Sequence, residues 1–228
     1  MKIEGMVSTD LGLSSGYIFG LRLAQSEHMK DEIVNQGEGM KHIVNFLFEA
    51  SMLKEIPRSG YHFLGTGNES VAEHTYCTTV IAFVMSELEP EVDAFKLVTM
   101  CMAHDFAEAR IGDLNTVQKR YVSADENKAI EDATRNLPFG HLMAGLIEEF
   151  NAGESREAKL ARDADHLALI LDLKRLSDIG YKPPGSWLPH VLERLGTRTG
   201  KDLARAIVSS SRDDWWLENF VDSTDKKK

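Results

Sequence analysis

The stretch from Ala94 to Ala103 is almost wholly apolar and runs straight into His104 and Asp105. Burying an imidazole and a carboxylate at the end of such a run costs free energy unless both are paired. A divalent cation satisfies the two together. The fold must therefore deliver further ligands to this point from elsewhere in the chain, and that requirement organises the rest of the reading.

The surrounding pattern is helical. Ile43, Phe46, Leu47, Ala50 and Leu53 recur at helical spacing from Met40 onward. A loop from Ile56 to Glu69 follows, broken by Pro57, Gly60, Gly65 and Gly67. Ser70 and Glu73 fit a capping box. The helix they open runs to Leu88 before Pro90 and is apolar on nearly all sides, so it is expected at the centre of the fold. The next helix is predicted from Glu91 to Ala109, with Phe95, Val98, Met102, Phe106 and Ala109 on one stripe and Leu97, Cys101 and His104 on another. Gly112 fits its stop, and Asp113 the N-cap of a short helix from Leu114 to Tyr121.

Further helices are expected within 122–135, from Asn136 to Phe150 with Pro138 in the first turn, from Ser155 to Ile179, from Trp187 to Leu195 and from Lys201 to Ser210. A C-terminal turn is expected around Asp213, Trp215, Trp216 and Phe220, with Lys226 to Lys228 as a frayed tail. No alternating strand pattern appears. The chain reads as all-α, a compact multi-helix bundle with a single metal site between helices. It divides into an N-terminal arm over 1–39, a core over 40–184 and a C-terminal helical extension over 185–228 packed on the core.

Composition narrows the function. The net charge of -10 argues against a chain built to hold nucleic acid polymers. It does not exclude a small phosphorylated substrate, because a metal supplies local positive charge. Cys77 and Cys101 are the only cysteines and lie in apolar helical patterns, so they read as small buried hydrophobes in a reducing compartment. No segment has the roughly 18 uninterrupted apolar residues of a membrane span. A cytoplasmic protein without membrane attachment is expected.

His74, His104, Asp105 and Asp165 come from three predicted helices and form a candidate ligand set. Two imidazoles and two carboxylates suit Co, Mn, Mg, Zn, Ni or Fe. By spacing alone, Asp163 and His166 compete with Asp165. Glu108 lies four residues after His104 and three after Asp105, on the same side of a helix. A carboxylate there is placed to take a proton from a water activated at the metal. Otherwise it is a surface acid paired with Arg110 or Lys119. Arg58 is a candidate phosphate clamp or a solvated loop charge.

The order Arg58, then Glu69-Ser70-Val71-Ala72-Glu73-His74, then His104-Asp105-Phe106-Ala107-Glu108 with Gly112-Asp113, then Ala164-Asp165, resembles the HD-domain metal-dependent phosphohydrolases. Within them it is most similar to the 5′-deoxynucleotidases. The resemblance covers Ile43 to Tyr181. It implies one divalent metal on His74, His104, Asp105 and Asp165, catalytic and substrate-contacting acids in Glu108 and Asp113, and a phosphate-holding Arg58. It favours Asp165 over Asp163. Where the family often carries a Trp near the sugar, this chain has Tyr61, so a preference for deoxyribose does not follow from the match. The activity implied is hydrolysis of (deoxy)nucleoside 5′-monophosphates by a phosphomonoesterase, with a homodimer as the expected assembly. The alternatives are an HD hydrolase of a triphosphate, cyclic nucleotide or alarmone, and a nucleotide-sensing module without turnover.

Overall fold

A computed structural model describes residues 37–221. The expected arm over 1–39 lies outside the described residues except for its last three, as does the tail Lys226–Lys228. Helices α1 (Gly37–Met52), α2 (Tyr61–Leu64), α3 (Val71–Leu88), α4 (Ala94–Ala103), α5 (Glu108–Ile111), α6 (Glu126–Thr134) and α7 (Gly140–Ala152) lead to the long α8 (Arg156–Asp178). Then come α9 (Pro184–Leu192), α10 (Arg198–Ser209) and the short α11 (Asp214–Trp216). Among the described residues there is no strand, only one antiparallel bridge between Pro57 and Ser70. The fold is all-α.

The central helix is α8, not α3. It packs against α3, α4, α7, α9 and α10. Ala158, Ala161, Ala164 and Ala168 let its neighbours approach closely, and Leu160, Leu167, Ile170 and Leu173 fill the spaces between them. Truncating one of these leucines to alanine should cost about 2–5 kcal/mol. Helix α3 buries only the face carrying Val71, His74, Thr78, Ala82 and Met85. Its other face leaves Tyr76 71% and Phe83 56% exposed. An all-round apolar pattern cannot tell a helix buried in its own core from one with an apolar outer face.

A second cluster joins α1 to the end of α4. Phe46 stacks on Phe106 with ring centroids 4.7 Å apart, and Leu53, Val71, Ala103, Ile130 and Ile147 surround them. The metal-site candidates lie between the two clusters.

Other boundaries move for local reasons. The helix expected from Glu91 to Ala109 starts at Ala94, capped by Asp93 accepting from Lys96 N, and stops at Ala103. Residues 104–107 wind more tightly, with Phe106 N donating to Ala103 O and Glu108 N to Asp105 O. Periodicity cannot separate that winding from an α-turn over so few residues. Its Phe95 and Met102 face is exposed, and the Leu97 and Cys101 face is buried. Asp113 caps no helix. Instead, Asn115 Oδ1 accepts from Val117 N and Gln118 N in the turn that leads into a 3₁₀ turn, Gln118–Arg120.

Helix α7 begins two residues after Pro138, so that ring needs no place in a first turn. Helix α9 uses Pro184 as its opening residue, earlier than the expected Trp187. The Ile56–Glu69 loop contains the short α2. Cys77 is exposed, and only Cys101 is buried.

Candidate metal centre

Three elements deliver the site. The Ser70 hydroxyl accepts from Glu73 N while the Glu73 carboxylate accepts from Ser70 N, so the capping box sets the first turn of α3 and aims His74 inward. The turn after α4 presents His104 and Asp105. Asp165 stands in the middle of α8, next to fully buried Ala164.

Ligand atoms of His74, His104 and Asp165 lie within 4.8 Å of one another. Asp105 joins them, its Oδ2 3.1 Å from His104 Nε2 and 3.9 Å from His74 Nε2. His74 Nε2 is 2.9 Å from Asp165 Oδ1.

The donor set fits a divalent cation on one observation in particular. His104 Nδ1 donates to Cys101 O at 2.7 Å, which turns Nε2 toward the carboxylates. That Nε2 is buried, and despite its contact with Asp105 it has no hydrogen-bond partner among the described residues. An imidazole fixed through one nitrogen, with the other aimed at two carboxylates, is the arrangement found around bound metals.

The electrostatics agree. Burial alone would lower the His104 pKa, but Asp105 and Asp165 outweigh it and push it up to about 9. Without a cation, a proton takes that place. Burial opposes ionisation of Asp165, yet the hydrogen bond from His74 and the charges of His104 and Arg58 hold its carboxyl below the ordinary range.

Glu108 behaves oppositely. Burial, then repulsion from Asp105 and Asp113, pushes its pKa up to about 9. Its Oε2 is buried without a hydrogen-bond partner among the described residues. A nearby divalent charge would reverse that logic. Neither Arg110 nor Lys119 pairs with it; Arg110 is engaged by Glu49.

Arg58 is brought to the same place, with Nη1 3.4 Å from Asp105 Oδ2. Its loop is pinned by Arg58 N donating to Glu69 O and Val71 N to Ile56 O. Asp113 Oδ2 accepts from Ser59 N at 2.8 Å and so holds the turn that carries the guanidinium. Tyr61 is only 8% exposed. Its ring occupies the space that a Cβ on Gly67 would need, 2.5 Å away, and its hydroxyl donates to Glu69 Oε2 at 3.3 Å. Arg58, Tyr61, Asp105, Glu108, Asp113 and Asp165 line one cavity of 570 Å³.

The rivals of Asp165 separate cleanly. Two residues on a helix are about 200° apart, and Asp163 faces the other way. It accepts from Gly196 N, Thr197 N and the Thr197 hydroxyl, anchoring the loop before α10. His166 lies off the site as well, and burial lowers its pKa.

Glu69 is a residue to which the sequence reading assigned no role. Its carboxylate is 4.0 Å from His74 Nδ1, and burial raises its pKa against the pull of His74 and Arg58. Its sequence signals were its place one residue before the capping box and at the head of the Glu69-to-His74 stretch that carries the family resemblance.

Residues 50–206 match the HD domain, and the chain belongs to that family. It is 29% identical over 153 residues to the human 5′-deoxynucleotidase HDDC2, covering 64% of this chain and 74% of that one. Among solved structures, a conserved hypothetical protein from Pyrococcus furiosus superposes with a TM-score of 0.62 at 27% identity, over 72% of this chain and 98% of that one. A protein from Magnetospirillum magnetotacticum, described as a predicted metal-dependent phosphohydrolase, shares the fold at a TM-score of 0.59 and 24% identity, over 75% and 91%.

Proposed function

We propose that the chain is a metal-dependent phosphomonoesterase acting on nucleoside 5′-monophosphates, deoxynucleotides among them. The observation that carries this reading is the convergence of His74, His104, Asp105 and Asp165 beside Arg58 and Glu108 in one cavity. Similarity to a protein named as a 5′-deoxynucleotidase supports the substrate class.

His74, His104, Asp105 and Asp165 would hold one divalent ion, with Co, Mn, Mg, Zn, Ni and Fe all compatible with two imidazoles and two carboxylates. Bound there, the ion would supply Lewis acidity and a lowered pKa for the attacking water. Arg58 binds two phosphate oxygens through its planar fork and orients phosphorus for in-line attack. Glu108 positions the water and receives its proton as the oxygen bonds to phosphorus. The bond from phosphorus to the 5′ oxygen breaks, and that oxygen leaves as the nucleoside hydroxyl after protonation. Asp113 keeps Arg58 in register through Ser59 and meets the sugar or assists proton transfer. Tyr61 forms the wall near the sugar.

We further propose a homodimer, supported by the exposed apolar face of α3 with Tyr76, Val80, Phe83, Val84 and Leu88. A cytoplasmic location is proposed as well. No described helix is long and apolar enough to cross a membrane, and the two cysteines are free thiols.

A phosphate-release assay over deoxy- and ribonucleoside mono-, di- and triphosphates, with each metal, tests the activity. Release from 5′-monophosphates is expected. Turnover confined to triphosphates, or none with any metal, would sink the proposal.

A further inference from the structure

Beyond the cation and the phosphate clamp, the cavity has a second wall formed by α9. Trp187, His190, Val191 and Arg194 all line it. Their spacing of three, four and seven residues puts them on one helix face, and Arg194 N donating to Val191 O carries the turn past the end of α9. Val191 is buried and fixes that face against the core. The indole of Trp187 reaches over the turn after Arg58, with its ring atoms 3.9–4.0 Å from where a Cβ on Gly60 would stand.

Three features of this wall point to a ligand. First, the half-buried indole of Trp187 and the exposed side chains of His190 and Arg194 bring N–H donors to the cavity. Second, the Tyr61 ring is held in place by Gly67 and its hydroxyl by Glu69, and Trp187 adds a further aromatic face to the same cavity beside the Arg58 turn. Third, Phe63 of α2, 53% exposed, adds another ring to the same cavity. A half-buried aromatic face beside solvent-facing donors suits a flat heterocycle with acceptor atoms on its edge.

We infer that this face of α9 is the base-recognition surface of the site: Trp187 stacks on the nucleobase, and His190 and Arg194 donate to its edge. The inference rests on the phosphomonoesterase reading and adds how the substrate is told from a bare sugar phosphate. Stacking tolerates every base because each has a π-face. Discrimination among bases falls to the donors.

The test compares wild type with Trp187→Ala, Trp187→Phe and Arg194→Ala on the deoxynucleoside 5′-monophosphates and on 2-deoxyribose 5-phosphate, which has no base. Trp187→Ala should raise KM for every nucleotide by roughly tenfold to a hundredfold, with kcat changed much less. KM for the sugar phosphate should move far less, and Trp187→Phe should restore most of the loss. Arg194→Ala should reorder the nucleotides rather than weaken all of them equally. Binding gives an independent readout, since quenching of tryptophan fluorescence by a nucleoside monophosphate should be lost in Trp187→Phe. Equal losses on nucleotide and sugar phosphate, or quenching that persists in Trp187→Phe, would overturn the inference alone. A wild-type protein that neither binds nor hydrolyses any of these compounds would overturn the phosphomonoesterase reading with it.

Discussion

The backbone N–H of Ser59 donates to Asp113 Oδ2 at 2.8 Å, tying the Arg58 turn to the loop after α5 across 54 positions of sequence. The acid therefore acts on the phosphate clamp through a main-chain bond as well as by lining the cavity. Asp113→Asn keeps an oxygen that can accept from Ser59, whereas Asp113→Ala leaves the donor unpaired. Asp113→Ala should raise KM for a monophosphate about tenfold or more, and Asp113→Asn should recover much of that. Metal content should stay unchanged in both. Steady-state kinetics paired with metal analysis would check this, and a loss of metal in Asp113→Ala would refute it.

The cation site should exchange protons for metal. His104 titrates at about 9 in the metal-free protein, so at neutral pH its imidazole carries a proton that a cation must expel. Apparent affinity should therefore rise with pH up to about 9 and then level off. Calorimetry in buffers of different ionisation enthalpy should show proton release on binding at pH 7, shrinking toward pH 9. Binding with no buffer dependence at pH 7 would contradict the assignment.

Glu108 couples stability to pH in the opposite sense from an ordinary carboxylate. Its folded pKa of about 9 lies above the unfolded value of 4.5. Stability from this group is thus complete below 4.5 and is lost as pH rises through 9. Glu108→Gln removes the penalty, so the metal-free variant should melt above wild type at pH 8–9 and close to it near pH 4. Added metal should narrow the gap. The same variant should lose about 10²–10⁴ in kcat, the range of a general base. Thermal melts across pH together with kinetics would decide, and a variant less stable than wild type at pH 9 would count against it.

Much of the candidate site was legible in the sequence. The capping box at Ser70 and Glu73 has a local signature, and His104-Asp105 announces itself by standing at the end of an apolar run. What the chain alone left open involves direction. Asp163 and Asp165 share a helix and a residue type; spacing leaves them as rivals, the family resemblance favours Asp165, and their opposite orientations make one a loop anchor and the other a ligand candidate. Glu69 had no periodic pattern to mark it, because its inward aim comes from the bridge between Pro57 and Ser70. Helix α3 looked central because its apolar residues encircle it, and nothing in periodicity distinguishes core from an apolar outer face.

That separation on α8 can be tested directly. Asp163→Ala removes the acceptor of three donors and leaves the Gly196–Thr197 turn unanchored. It should lower the melting temperature clearly, since three hydrogen bonds to a buried carboxylate are lost at about 0.5–1.5 kcal/mol each or more. Gly200→Ala should act similarly, because the new Cβ would stand 2.3 Å from Asp163 Oδ2. Both variants should bind metal with wild-type stoichiometry and turn over normally per folded molecule below their melting temperatures. Asp165→Ala should instead lose metal and activity while leaving the Gly196–Thr197 turn anchored to Asp163. Melting curves, metal content and phosphate release across the three variants give the answer. Metal loss in Asp163→Ala with retention in Asp165→Ala would exchange their roles.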